Sequence, residues 1–181
     1  MSSSMPARPV LLAAPVLALA GLLAACSGEI SVGGPDGISQ ERLETEVAGN
    51  VSGADKDQVE VDCGGELEAE PDATQDCVIT YTADGSRTGV RLTVTDVQGD
   101  EVEFDQLLFI AAEDVADAVE RFYTEQGIVV DTATCAGELL GEQGETTTCE
   151  VTSSSDGDAT IEVTTTTVDG LTVNFDLDVA S

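Results

Sequence analysis

Cys63 and Cys77 are separated by thirteen residues, and so are Cys135 and Cys149. Both intervals carry the same early triplet, Gly65-Glu66-Leu67 in the first and Gly137-Glu138-Leu139 in the second. A chain written this way is constrained to fold as one unit made twice. A shift of 72 residues pairs Ile38 with Ile110, Glu41 with Glu113, Val47 with Val119, Thr80 with Thr152, and Asp84-Gly85 with Asp156-Gly157. One residue is then lost, and a shift of 71 pairs Val90 with Ile161, Leu92 with Val163, Gly99 with Gly170, and Val102-Glu103-Phe104-Asp105 with Val173-Asn174-Phe175-Asp176. Matches that run in order along a whole unit indicate tandem duplication. Two copies are too few for a solenoid, so the expected organisation is two small domains, residues 38–109 and 110–181.

Each copy opens with a helical period and continues with a period of two. Leu43, Val47 and Val51 recur every fourth residue, Ser39 stands at the N-cap position, and Glu41 falls in the first turn. Gly49 and Gly53 weaken the far end of that helix. In the second copy Val115, Ala118, Val119 and Phe122 are expected on one apolar face, with Glu113 and Asp114 near the start and Gly127 as the stop. Strands are then predicted around Val59 and Val61, over Cys77–Thr82, and through Val90, Leu92 and Val94. A further strand is predicted through Val102 and Phe104, and in the second copy through Val173, Phe175, Leu177 and Val179. Asp84-Gly85, Gln98-Gly99 and Asp169-Gly170 mark the turns. The predicted class is α+β: two tandem domains, each a helix packed on an antiparallel sheet of three or four strands, with an acidic, Thr-rich outer face.

A unit of about 70 residues has a marginal core, and a crosslink is the usual remedy at that size. The spacing of thirteen, with no Cys-x-x-Cys and no His in the chain, suits neither a zinc finger nor a thioredoxin-type redox pair. Cys63–Cys77 and Cys135–Cys149 are therefore the expected disulfides, each contributing on the order of 3 kcal/mol by the chain-entropy estimate.

The fifth cysteine belongs to the N-terminus. Arg8 precedes an almost wholly apolar run, Val10 to Ala25, which is short for a membrane-spanning helix and suits a signal-peptide core. It ends in Leu23-Ala24-Ala25-Cys26, the pattern of a bacterial lipobox. Residues 1–25 are expected to be removed, leaving Cys26 as the lipidated first residue and residues 26–37 as a flexible tether. Removal takes Arg8 and no acid, so five bases remain against 36 acids. So acidic a body cannot displace counterions from phosphate, which excludes nucleic acid as a partner. Anionic lipid would repel the body while an acyl anchor held it nearby.

A lipobox, a tether, a helix, and two cysteines bracketing a Gly-containing loop before a Val- and Thr-rich strand resemble the small actinobacterial lipoprotein domain of unknown function. That domain occurs singly or in pairs in envelope lipoproteins and secreted proteins. The resemblance covers both copies, 38–109 and 110–181, and implies a location at the extracytoplasmic face of the cell membrane. It brings no catalytic residues with it.

The absence of His removes Ser/His/Asp and Cys/His catalysis. No Gly-rich loop has a phosphate-cradle pattern, and no cofactor is expected. Asp96-Val97-Gln98-Gly99-Asp100-Glu101 and Asp156-Gly157-Asp158 are dense enough in oxygen to consider for calcium, but neither has EF-hand spacing, so no metal site is expected. The expected function is a non-catalytic binding or accessory module of the envelope, whose sheet faces and acidic loops meet another envelope protein or a cationic ligand. The alternative is an inhibitor-like protein that grips an extracytoplasmic enzyme with its sheet faces, loosely similar in architecture to the secreted β-lactamase inhibitory protein.

The charge makes one prediction at once. Carboxylates crowded on a compact body repel one another, and salt shortens the range of that repulsion to about 8 Å at physiological strength. Added NaCl should raise the thermal midpoint, and calcium should do no more than magnesium at equal ionic strength. A rise specific to sub-millimolar calcium would instead make the acidic turns a metal site.

Overall fold

A computed structural model describes residues 28–31, 37–50, 58–99 and 101–180. The expected signal peptide, Cys26, Val51 and Gly53 lie outside these described residues. In chain order the elements are β1 (Gly28–Ser31), α1 (Gln40–Asn50), β2 (Val59–Cys63), β3 (Thr74–Tyr81), β4 (Arg87–Gln98), β5 (Glu101–Ile110), α2 (Ala112–Glu125), β6 (Thr132–Cys135), β7 (Leu139–Leu140), β8 (Thr146–Thr152), β9 (Ala159–Asp169) and β10 (Thr172–Val179).

The helices follow their apolar rows. Helix α1 starts directly after Ser39 and buries Leu43 and Val47. Helix α2 buries Val115, Ala116 and Val119 and carries Glu113 and Asp114 in its first turn, where the positive end of the helix dipole favours them. It ends in a Schellman motif: Ile128 N–H donates to the Tyr123 carbonyl at 3.1 Å and Gly127 N–H to that of Thr124 at 3.0 Å. Gly127 takes φ 83°, a conformation that costs glycine little. One expectation fails here. Phe122 is not on the buried face but 45% exposed, and Tyr123 packs on the core instead. The row 115–119–123 advances in steps of four and stays over the sheet, whereas Phe122 is rotated about 100° away.

Each copy then lays down a four-stranded antiparallel meander. The first runs β5-β4-β3-β2 and the second β10-β9-β8-β6. The sequence echo reaches fine detail. Ile38 bridges Leu67 in the first copy, and Ile110 pairs with Leu139 at the same place in the second. The register slips at Thr95 in β4 and at Thr166 in β9, positions related by the shift of 71. Cys63 stands directly opposite Cys77 and Cys135 opposite Cys149, and both pairs are disulfide-bonded, with Cα atoms 4.0 and 3.9 Å apart. The fold is therefore two tandem α+β units with one disulfide each, as predicted.

Where the copies meet there is no linker. Strand β5 runs through residues 109 and 110, so its last residue, Ile110, already belongs to the second core. Leu108 packs against both cores, and Leu171, from the turn between β9 and β10, packs against the first. Strand β7 pairs with the end of β5, and Gly141 N–H donates to the Leu108 carbonyl at 2.7 Å. A Cβ at Gly141 would sit 2.9 Å from that same carbonyl oxygen, so only glycine lets the two backbones approach this closely. Gly89 opposite Phe109 is a similar case: a Cβ there would penetrate the phenyl ring, which covers the glycine backbone directly.

A second expectation also needs correction. Part of the stretch read as a flexible tether, Gly28–Ser31, lies as strand β1 against β5, with Gly28 opposite Phe104 and Ser31 opposite Glu101. The outer edge of β5 offers a row of backbone donors and acceptors, and these outweigh the Gly- and Ser-rich composition of the stretch.

Because β5 serves both cores, the two copies should melt together. Calorimetry is expected to show one cooperative transition, and Leu108→Ala should cost about 2 kcal/mol and lower the midpoint by roughly 4–8 °C without splitting it. Two resolved transitions in the wild type would contradict this coupling.

Candidate functional site

The cysteines named from sequence are structural. Cys63, Cys77 and Cys149 are fully buried in the cores, and Cys135 packs beside the second. Cys26 lies outside the described residues. The acidic turns hold their own carboxylates locally. Gln98 Nε2 donates to Asp96 at 2.7 Å and Ser155 Oγ to Asp156 at 2.8 Å. Among the described residues, no three or more of His, Cys, Asp and Glu gather closely enough to hold a metal ion.

What the sequence reading missed are Arg87 and Arg91, which stand at the junction of the copies. Arg91 on β4 is bidentate to Asp76 on β3, with Nε–Oδ1 at 2.9 Å and Nη2–Oδ2 at 2.8 Å. It also reaches across the junction to Glu138, with Nη1–Oε1 at 2.7 Å and Nη2–Oε2 at 3.1 Å. Its guanidinium lies 5.0 Å from the centre of the Phe109 ring. The carboxylates of Asp76 and Glu138 raise the arginine's already high pKa, Asp76 foremost. Only a planar, forked cation can satisfy two carboxylates and an aromatic face together, so lysine would not replace it. A signal was available in the repeat, because the second copy has Glu162 where the first has Arg91.

Arg87 makes the second bridge across the junction, 3.2 Å to Asp114 on α2. Around it opens a cleft of about 640 Å³ between the β3–β4 turn and helix α2, lined among others by Tyr81, Arg87, Asp114, Asp117, Arg121 and Phe175. A second hollow of about 420 Å³ continues it along β10, past Phe122, Phe175 and Leu177. Ala118, Arg121 and Phe175 border both. On the rim, hydrogen bonds from Ser86 N–H and Oγ hold the Asp84 carboxyl below its usual range. Deeper in, burial raises the Asp114 carboxyl, Arg87 opposes that rise, and Glu113 and Asp117 add to it. The cleft thus joins an apolar floor to a rim of mixed charge.

The profile of the family described as Domain of unknown function (DUF4333) matches residues 21–99 and again residues 109–170. No curated protein matches the chain. No solved structure matches it either. Among the described residues no helix is long and apolar enough to cross a membrane.

Asp114 gives the junction a pH dependence. Its folded-state pKa lies above the unfolded one, so the ionised carboxylate works against folding at neutral pH. That penalty fades as pH falls through the folded value towards the unfolded one. The wild type should therefore gain stability relative to Asp114→Asn as pH is lowered from 7 into the carboxylate range, measured by denaturant midpoints at matched ionic strength. A difference that stays constant with pH would refute the assignment.

Proposed function

The chain belongs to the DUF4333 family and carries its domain in tandem, and on that footing we propose that it is an extracytoplasmic lipoprotein acting as a non-catalytic binding or accessory module of the cell envelope. The actinobacterial lipoproteins it resembles belong to the same proposal. One observation carries it: four of the five cysteines are tied up in the two cores, leaving Cys26 behind Leu23-Ala24-Ala25. Two disulfides in so small a protein suit an oxidising compartment outside the cytoplasm. Two or three acyl chains on Cys26, each contributing roughly 0.8 kcal/mol per buried CH₂, would hold the protein at the membrane without a spanning helix.

The body then supplies contacts, not chemistry. Its polar face in β8 is exposed at Thr146, Thr148, Glu150 and Thr152, and β10 adds Asp176 and Asp178. The cleft at the junction is the recess most suited to a partner. An inhibitor that grips an enzyme with sheet faces would need aromatic anchors on those faces. The exposed aromatic, Phe122, stands on helix α2 instead, which favours the more general binding function.

Cys26→Ser should abolish incorporation of labelled palmitate and move the protein from the membrane to the soluble fraction. Membrane association that survives this substitution would sink the anchor. Photocrosslinking from the anchored wild type in its own envelope should give discrete adducts, and none at all would sink the binding role.

A further inference from the structure

The duplication allows the same sheet edge to be compared in two copies. Strands β5 and β10 are counterparts, Glu101-Val102-Glu103-Phe104 matching Thr172-Val173-Asn174-Phe175 at a shift of 71. The outer edge of β5 is occupied, because β1 lies on it antiparallel from Gly28 opposite Phe104 to Ser31 opposite Glu101. In the second sheet β10 is the terminal strand, and among the described residues no strand pairs with its outer edge. Along its eight residues, the backbone N–H and C=O of every second one turn outward as a template for pairing.

The surroundings of that edge fit an added strand. Helix α2 packs chiefly towards β6, and between its Phe122 side and β10 a hollow stays open while Phe175 and Leu177 are only partly buried. That hollow of about 420 Å³ is bordered by Ala118, Phe122, Phe175 and Leu177, with Arg121, Glu125, Asp176 and Asp178 around them. Phe122 is 45% exposed and Val179 67%. Residues of a neighbouring strand alternate between the two faces in step with β10. Every second side chain would enter the hollow beside Phe122 and Leu177, and the others would lie beside Asn174, Asp176 and Asp178 on the outer face.

We propose that the β10 edge is a strand-accepting site whose occupant is an extended segment of another protein with apolar residues alternating with Lys or Arg. Backbone hydrogen bonds would supply affinity, and the Phe122 hollow together with the acidic face would supply selectivity. A second copy of this chain is the poorer occupant. Pairing β10 with β10 would bring Asp176 and Asp178 of both copies together on one face, between bodies carrying 36 acids against six bases in the whole chain.

Such a site presupposes the binding function proposed above, and its test must fail separately from that function. The soluble Cys26→Ser protein would be titrated with a fluorescent octapeptide of alternating Lys and Val, followed by anisotropy and by amide hydrogen exchange. Saturable one-to-one binding is expected, with slowed exchange at the outward amides of 172–179. Phe122→Ala should weaken binding about fivefold, as loss of an interface aromatic does, and Asp176→Asn with Asp178→Asn by about as much. Phe122 lies outside the buried core, so its replacement is expected to spare the fold, which an unchanged circular-dichroism spectrum and thermal midpoint would check. The same peptide with its edge-facing amides N-methylated keeps every charge and should not bind. Equal binding of the methylated peptide, protection elsewhere than β10, or a concentration-dependent dimer that protects β10 without peptide would each overturn the proposal. If crosslinked adducts in the envelope survive the Phe122 and Asp176/Asp178 substitutions, the edge site falls and the binding function stands. If no adducts form, the binding function falls first.

Discussion

Strand β5 belongs to two hydrophobic cores at once, and the rest of the molecule depends on that. Val102 and Phe104 fill the first core, Leu108 touches both, and Ile110 fills the second. A strand has no soft joint, since each residue is held by its ladder and by packing on one face. The copies are therefore fixed by backbone continuity, whereas a flexible linker between them would leave only a small and separable contact. The glycines at 89 and 141 then permit close approach at the joint, and Arg91 closes it from the outer side.

Three differences between the copies fall where identical copies could not do the same work. Arg91 is answered by Glu162, Leu171 by Asp100, and Phe122 by Asn50. The first two place a cation and an apolar anchor at the junction, where a strict repeat would have put acids. The third puts an aromatic beside the open edge of β10. The internal positions changed conservatively by comparison: Val90 to Ile161 and Leu92 to Val163 preserve apolar volume within a methyl group or so. Core positions answer to packing and junction positions to their neighbours, so the two sets diverged for different physical reasons.

Legibility in the sequence followed the range of the interaction. Leu43 with Val47, the alternation Val90-Leu92-Val94, and the turn at Gly85 are local, and the structure has them where the periods put them. The disulfides were legible because the repeat gave the pairing twice. Phe122 was misplaced because residues 118 and 122 form a row as regular as 115–119–123, and only the position of the sheet distinguishes them. The Arg91–Glu138 contact spans 47 residues and joins two units that had been read separately. The pairing of Gly28–Ser31 was hidden by composition, since glycine and serine describe what a segment does alone and not what an open edge does to it.

Charge explains why Arg87 and Arg91 sit where they do. Within an acidic body, the sites that most need a cation are those where carboxylates are brought together by the fold and partly desolvated. The junction does this at Asp76 with Glu138 and again at Asp114, and Arg91 and Arg87 are found there. Elsewhere the acids are spread over solvated faces, and those that are held accept hydrogen bonds from neutral donors, as Glu120 does from Ala133 N–H and Asp84 from Ser86. The same distribution acts on anything approaching from outside. The long-range field favours a basic partner, while the short-range geometry that can be matched is the hollow beside β10. For the proposed strand partner, field and hollow together would favour a segment that alternates basic with apolar residues, because a uniformly basic one would leave Phe122 and Leu177 in water, and a uniformly apolar one would forgo the attraction of Asp176 and Asp178.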